Sequence, residues 1–239
     1  MARTEVLTLP HAAGQVISYI EMCQAWSVSF QKGMHFHLRP NLSVLLMSRR
    51  RNAPYRDRIE ETGRVLIYEG HDAPRRQGTP DPKSIDQPRS TAYGKLTENG
   101  LFERAAVEAK RGRRPPEIVA VYEKIHAGIW AFNGFFRLTD SWPEKDGPRS
   151  VFKFRLELAE DLDFEAAPPE APVHSRMIPS AVKLEVWQRD KGRCVICGAE
   201  DNLHFDHDLP YSKGGTSLTA MNIRLLCARH NLSKGAKLQ

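Results

Sequence analysis

The sequence predicts an α+β protein with a first region built mostly of strands and a small cysteine-containing module at the C-terminus. Short apolar or alternating segments recur up to residue 158, and apolar and charged residues alternate in VFKFRLEL at 151–158. One segment, 97–112, has helical periodicity. Three of the four cysteines lie close together in the last quarter of the chain. These observations predict two domains of different architecture.

The strands of the first region are predicted from short apolar segments bounded by turn residues. They cover residues 15–21, 42–47, 64–70, 117–125, 128–142 and 150–160. The helix at 97–112 is predicted to start at a Thr97 or Asn99 cap and to end at Gly112. Residues 71–91 contain four prolines and predict a long loop, and residues 34–41 are a candidate for a second loop that could reach into DNA.

Residues 160–180 are acidic and then rich in proline and alanine, which is typical of a semi-rigid linker. We therefore predict a first domain at 1–160, a linker at 161–180 and a second domain at 181–239. The second domain is expected to begin with a short helix in AVKLEVWQRDKG. Cys23 lies outside the cluster and is expected to be a small buried apolar residue.

The composition favours a polyanionic partner and no membrane. The formal net charge is +6 at pH 7, and the sequence pI is about 9.2. Basic residues cluster at Arg49, Arg50 and Arg51 and again at 110–114, although both clusters could simply be solvated loops. No segment of about 18 apolar residues and no apolar signal region is seen, so neither a membrane span nor secretion is expected.

Four residues of the C-terminal module have the spacing of a zinc site. Cys194-x-x-Cys197 and Cys227-x-x-His230 are two half-sites that together make a Cys₃His set, and Gly198 suits the turn after the first pair. The alternative is that these cysteines are buried and unliganded. The spacing favours a structural Zn²⁺ that stabilises a module too small to have a large core.

Between the half-sites lie Asp206 and His207, followed later by Asn222 and Asn231. Carboxylate and amide oxygens suit Mg²⁺ or Mn²⁺ rather than structural zinc, and a neighbouring histidine can take a proton from water. The blocks RDKGRCVICG, DHDLPYSKGG, NIRLLC and RHNLSKG occur in this order over roughly residues 181–239 and resemble the HNH family of nucleases.

The HNH resemblance implies a ββα fold around one catalytic Mg²⁺ or Mn²⁺, with His207 as the general base. It implies that Asp206 and Asn231 hold that ion and that Asn222 supports His207. Lys234 is a candidate contact to a DNA phosphate. His230 occupies a cysteine position of the zinc set and is assigned to zinc. The alternative is a zinc ribbon that only binds DNA.

The first region carries a second resemblance. The stretch IWAFNGFFRLTDSWPEKDGPRSVFKFRLEL at 129–158 is similar to the SRA domain, and KLTENGLFERAAVEAKRG at 95–112 is similar to the helix region of that family. Phe132-Asn133-Gly134 stands where the family usually has Tyr-Asp-Gly, a motif that we interpret as structural. The resemblance implies a PUA-like curved β-sheet or barrel that flips a modified cytosine out of the duplex.

The same resemblance implies the residues of the base pocket. Tyr55 and Tyr68 match the stacking aromatics, and Asp57 matches the carboxylate that accepts a hydrogen bond from the cytosine amino group. The alternative for these three is two ordinary strand tyrosines and a loop aspartate. Arg49, Arg50 and Arg51 adjoin this segment and would contact the DNA backbone, which contributes affinity without sequence information.

Together the two resemblances predict a type IV, modification-dependent restriction endonuclease of a prokaryotic cytoplasm. Its expected substrate is double-stranded DNA with 5-methylcytosine, and 5-hydroxymethylcytosine is a second candidate base. Cleavage of both strands needs two active sites or two events, so a homodimer is expected. The alternatives are a repair or mobile-element nuclease that ignores methylation, a catalytically silent reader of methylated DNA, and a nuclease that acts on RNA.

Overall fold

The computed structural model describes residues 11–40, 42–50, 53–159, 178–209 and 215–234, without the side chains of residues 62 and 234. The helices are Tyr19–Trp26 (α1), Glu98–Lys110 (α2), Ser180–Arg189 (α3) and Ala228–Lys234 (α4). The strands are Val16–Ser18 (β1), Met34–Arg39 (β2), Leu42–Met47 (β3), Arg58–Glu60 (β4), Val65–Glu69 (β5), Glu117–His126 (β6), Ile129–Asp146 (β7), Arg149–Leu158 (β8), Leu203–His207 (β9) and Ile223–Cys227 (β10). The α+β class is confirmed.

The chain divides into two compact units. One comprises residues 31–121 and 135–158, and the other comprises 1–30, 122–134 and 159–239. The predicted linker lies outside the described residues up to residue 177. The predicted boundary at residue 160 stays a prediction, and residues 11–30 and 122–134 group with the C-terminal module in one compact unit.

The unit formed by residues 31–121 and 135–158 is built on a sheet with the strand order β2-β3-β6-β7-β8-β5-β4. The longest antiparallel pairing joins β7 to β8, from Phe136 opposite Leu158 to Asp146 opposite Arg149. Helix α2 packs against β2 and β8. Its N-cap is Thr97, whose hydroxyl accepts a hydrogen bond from Gly100 N, as predicted from the sequence.

The other unit holds the C-terminal module. β9 and β10 form an antiparallel hairpin that packs against α3 and α4, and β1 pairs with the start of β7. The buried side chains of this core come from all three chain segments. They include Val16, Ile125, Ala131, Val182, Val186, Leu203, Phe205, Leu225 and Leu226. The hairpin is therefore buried against residues that are distant in sequence.

The strand predicted at 15–21 is wrong after Ser18, where β1 ends and helix α1 begins. The Ser18 hydroxyl accepts from Glu21 N at 3.2 Å, and the Glu21 carboxylate accepts from Ser18 N at 2.7 Å. This capping box starts a helix in a segment whose apolar residues alone suggested a strand. Cys23 lies on this helix and is half-buried, not fully buried as predicted. The second loop predicted at 34–41 is largely strand β2.

A buried ion pair holds α3 in this unit. Lys183 Nζ lies 2.7 Å from Glu123 Oε2 and also hydrogen-bonds to Asn133 Oδ1, and the Asn133 amide donates to Glu123 at 3.2 Å. Removing one partner of a buried pair leaves an uncompensated charge, so these three residues depend on one another. Asn133 belongs to the Phe-Asn-Gly motif that was interpreted as structural.

In the described part of the chain, no helix has the length and apolar character needed to cross a membrane.

Candidate functional site

The predicted zinc residues converge in the structure. His230 Nδ1 lies 3.4 Å from Cys194 Sγ and 3.3 Å from Cys227 Sγ, and Cys197 Sγ lies 3.8 Å from Cys227 Sγ. All four ligand atoms lie within 4.8 Å of one another. A tetrahedron with Zn–S bonds of about 2.3 Å has edges of about 3.8 Å, so the cluster has the size that zinc needs.

The knuckle around Cys194 explains how this cluster forms. Gly198 adopts a φ of 74° and donates its N–H to Cys194 O at 2.8 Å, which closes the turn. Val195 N donates to Leu225 O at 3.0 Å, which ties the turn to β10. Burial opposes ionisation of Cys194, but hydrogen bonds from the backbone of Cys227, Cys197 and Ile196 and from the His230 side chain lower its pKa to about 6. A lowered thiol pKa favours the thiolate that binds metal.

Asp206 and His207 end strand β9 and are both buried. Strand pairing places Asp206 opposite Arg224 and His207 opposite Ile223. The Nε2 atom of His207 lies 2.7 Å from the hydroxyl oxygen of Ser217, which is also buried. Ser217 was not among the predicted residues, and it is the described contact that orients the imidazole of the proposed base.

Asn222 binds the backbone at both ends of the loop that follows β9. Its Oδ1 accepts from Leu209 N at 2.7 Å, and its Nδ2 donates to Leu209 O at 3.1 Å and to Thr216 O at 2.9 Å. A Cβ on Gly215 would lie 1.8 Å from Leu209 O, so only glycine fits there. Asn222 therefore ties Leu209 to Thr216, the residue before Ser217.

Asn231 lies on α4, a helix that packs against β9 and β10. The two proposed ligands of the catalytic ion thus come from neighbouring elements of one unit, Asp206 from the strand and Asn231 from the helix. Oxygen donors of these two types fit magnesium or manganese. The side chain of Lys234, the proposed phosphate contact, lies outside the described atoms.

The predicted base pocket contains a third ring. The His71 imidazole stacks on the Tyr55 ring with a centroid distance of 4.7 Å and an interplanar angle of 7°. The Tyr68 hydroxyl lies 2.9 Å from His71 Nε2 and 3.2 Å from the carbonyl oxygens of Gly33 and Leu46. Tyr55 and Tyr68, the two predicted stacking residues, are therefore both in contact with His71.

Asp57 lies beside these rings. Its carboxylate accepts hydrogen bonds from Glu69 N at 3.0 Å and from Ser48 N at 3.3 Å. Burial raises the pKa of Asp57 to about 7, although the two backbone amides act in the opposite direction. The carboxylate thus changes charge near neutral pH, which is typical of functional sites as well as of buried ion networks.

The segment that carries Tyr68 and His71 is anchored by buried polar contacts. Lys153 Nζ binds Glu69 at 2.8 Å, and Arg149 binds Asp72 at 2.6 Å. The Asn99 side chain accepts from His71 N and donates to His71 O, both at 2.8 Å. The backbone around His71 is therefore held in place.

The structure describes two of the three arginines that were predicted to contact the DNA backbone. Arg49 and Arg50 are exposed, and Arg51 lies outside the described residues. In the second basic cluster, Lys110 pairs with Asp140 at 2.6 Å and Arg114 pairs with Glu117 at 2.8 Å. Arg111 and Arg113 of that cluster are exposed, as are Arg49 and Arg50.

Residues 194–237 match the family model of the HNH endonucleases. The match covers the zinc residues, Asp206, His207, Asn222 and Asn231. The C-terminal module is an HNH endonuclease domain. No curated protein matches the chain.

Solved structures similar to this chain include SRA domains. The chain is 19% identical to the SUVH5 SRA domain in complex with methylated CHH DNA, with a TM-score of 0.44, and the match covers 69% of this chain and 97% of that one. The same domain bound to fully hydroxymethylated CG DNA gives 18% identity, a TM-score of 0.42 and the same coverage. The DNA modification-dependent restriction endonuclease AspBHI gives 17% identity and a TM-score of 0.42, covering 77% of this chain and 86% of that one.

The sequence prediction missed two residues of these sites for different reasons. Ser217 belongs to the HNH domain, but serine is common in loops and nothing in its spacing points to His207. His71 follows Tyr68 by three residues, and its closeness in sequence to a predicted stacking tyrosine could have pointed to it. The HNH domain also buries residues 11–30 and 122–134 in its own compact unit, which no local pattern indicated.

Proposed function

We propose that this chain is a modification-dependent, type IV restriction endonuclease that reads 5-methylcytosine in double-stranded DNA and hydrolyses phosphodiester bonds with its HNH domain. The observation that carries the nuclease half is His207, which is buried beside Asp206 in a hairpin that adjoins a zinc-sized Cys₃His cluster. The reader half rests on Tyr55, Tyr68 and Asp57 around one aromatic slot, and 5-hydroxymethylcytosine is a second candidate base.

The proposed chemistry follows from the contacts of His207. His207, whose Nε2 lies 2.7 Å from Ser217 Oγ, takes the proton of the attacking water. Asp206 and Asn231 would hold the divalent ion. The chemistry that a bound magnesium or manganese ion supplies is positive charge next to the phosphate. Asn222 maintains the loop through its bonds to Leu209 and Thr216.

The proposed reading step uses the rings of the other unit. A flipped base needs a flat surface on each face and hydrogen bonds at its Watson–Crick edge. Tyr55 and Tyr68 would provide the surfaces, and the Asp57 carboxylate would accept a hydrogen bond from the cytosine amino group. Arg49, Arg50 and Arg51 would bind DNA phosphates, and Lys234 would bind a phosphate near the nuclease centre.

The remaining parts of the proposal concern assembly and setting. One HNH centre cuts one strand at a time, so we propose a homodimer for double-strand cleavage. Modified cytosine in foreign DNA is the target of a restriction enzyme, and the setting is accordingly a prokaryotic cytoplasm. We also propose a first domain at 1–160, a linker at 161–180 and a second domain at 181–239.

The test is cleavage of one plasmid in three forms: unmethylated, 5-methylated and 5-hydroxymethylated. Each form is incubated with magnesium, with manganese and without added divalent ion. The proposal expects metal-dependent cutting of the modified forms alone. Equal cutting of all three forms would favour a repair or mobile-element nuclease, and binding of modified DNA without cutting would favour a silent reader. Cutting of RNA in a parallel assay would favour a nuclease that acts on RNA.

A further inference from the structure

The imidazole of His71 contacts both tyrosines of the proposed pocket. It is stacked on Tyr55 at 4.7 Å, and its centroid lies 6.0 Å from that of Tyr68 with the rings tilted by 35°. The space behind it is tight, because a Cβ on Gly33 would lie 2.7 Å from His71 Cε1. A near-parallel ring at stacking distance has the geometry that a flipped base would adopt on Tyr55.

His71 is held in this slot by specific contacts. The Tyr68 hydroxyl forms its shortest hydrogen bond, 2.9 Å, with His71 Nε2 and lies 3.2 Å from the carbonyl oxygens of Gly33 and Leu46. Burial lowers the pKa of His71 to about 4, and the ring is therefore neutral at pH 7. A neutral, planar ring with one polar edge is similar to a nucleobase in shape and in charge.

Lys83 also lies on Tyr55. Its Nζ is 4.4 Å from the centroid of the Tyr55 ring and 2.8 Å from Asp72 Oδ2. The Tyr55 ring is thus covered by His71 and Lys83. A base stacked on the face of Tyr55 that His71 covers and the observed position of His71 exclude each other.

We propose that His71 occupies the base position in the DNA-free protein and that a flipped cytosine enters only when this side chain leaves. The inference rests on the proposed reader function. Asn99 fixes the backbone of His71 through two hydrogen bonds of 2.8 Å, so the exchange is a rotation of the side chain. Displacing His71 adds the same cost for every base, and an unmodified cytosine, which lacks the contacts of the methyl group, then stays in the duplex.

The test compares wild type with His71→Ala in binding to methylated and unmethylated duplexes without added divalent ion. A fluorescent 2-aminopurine beside the target cytosine reports flipping. The inference expects His71→Ala to bind methylated DNA about tenfold more tightly, as one stacked ring pair and its hydrogen bond imply. Flipping at the unmethylated site should become detectable. His126→Ala, at an exposed histidine of the other unit, is the matched control and should behave as wild type.

A measurement on the wild-type protein covers the case in which the variant does not fold. The NMR signals of the His71 ring should move from those of a buried, neutral imidazole to those of a solvent-exposed one when methylated duplex is added. Unchanged ring signals in the complex, or weaker binding by a folded His71→Ala, would overturn the inference and make His71 a wall of the pocket. If wild type itself shows no preference for methylated DNA, the reader function fails, and this inference fails with it.

Discussion

The hydroxyl of Ser217 lies 2.7 Å from Nε2 of His207, and both residues are buried. The contact joins the imidazole to the end of the loop that follows β9. Asn222 holds the loop two ways, at Leu209 and at Thr216, the residue before Ser217. Asn222, the middle residue of the HNH pattern, is thereby connected to His207 through the backbone of Thr216 and the hydroxyl group of Ser217.

Ser217→Ala is expected to lower kcat about twofold to tenfold, because one hydrogen bond contributes about 0.5–1.5 kcal/mol. KM for DNA and zinc content should stay at the wild-type values, since Ser217 contacts neither. Ser217→Thr keeps the hydroxyl and should restore most of the rate. Steady-state cleavage of a methylated duplex measures both constants. A change in KM alone would argue against a role through His207.

His207→Ala is expected to reduce cleavage by about 10²- to 10⁴-fold, the range of a general base. Binding of methylated DNA should remain, because the predicted pocket lies in the other unit. Gel-shift and cleavage assays on the same preparation separate the two effects. Cleavage by His207→Ala at the wild-type rate would show that His207 is not the general base.

The Cys₃His cluster should bind one zinc ion per chain. Cys194→Ser is expected to lose this ion and to lower the thermal midpoint of the unit that contains the HNH domain, because metal binding there is coupled to folding. Cys23→Ser is the matched control, since Cys23 lies on α1 outside the cluster. Elemental analysis and thermal unfolding report the outcome. Full zinc content in Cys194→Ser would contradict the assignment.

Asp57→Ala is expected to weaken binding of methylated DNA about tenfold to hundredfold, the effect of losing a charge-assisted hydrogen bond. The measured quantity is the ratio of dissociation constants for methylated and unmethylated duplexes, which corrects for general destabilisation. Asp201→Ala, at an exposed aspartate, serves as control. An unchanged ratio would mean that Asp57 does not read the base.

The raised pKa of Asp57 predicts a pH dependence of stability. The ordinary value of 3.8 applies to the unfolded chain and a value of about 7 to the folded one. Between these values the folded state binds the extra proton, so stability falls as pH rises through this window and levels off above about pH 7. Asp57→Asn should lack this slope. Urea unfolding of both proteins from pH 4 to pH 8 gives the difference, and parallel curves would refute it.

Local patterns predicted much of the fold. The helix from Glu98 to Lys110 follows from its Thr97 cap, and the strand from Leu42 to Met47 has the predicted bounds. The strand predicted at 15–21 was wrong after Ser18, although the pair Ser18 and Glu21 has the spacing of a capping box. Apolar periodicity over seven residues does not distinguish a strand from a helix, whereas a cap does.

The sequence by itself predicted the Cys₃His set, whose ligand atoms the structure brings within 4.8 Å of one another, and the order of the HNH blocks. Two residues separated by two positions can close on one ion whatever the rest of the fold does. Only the tertiary structure decided that Ser217 meets His207, that Lys183 pairs with Glu123, and that His71 contacts both Tyr55 and Tyr68. These contacts join residues from separate elements, and their formation depends on strand register and loop closure, which no local spacing specifies.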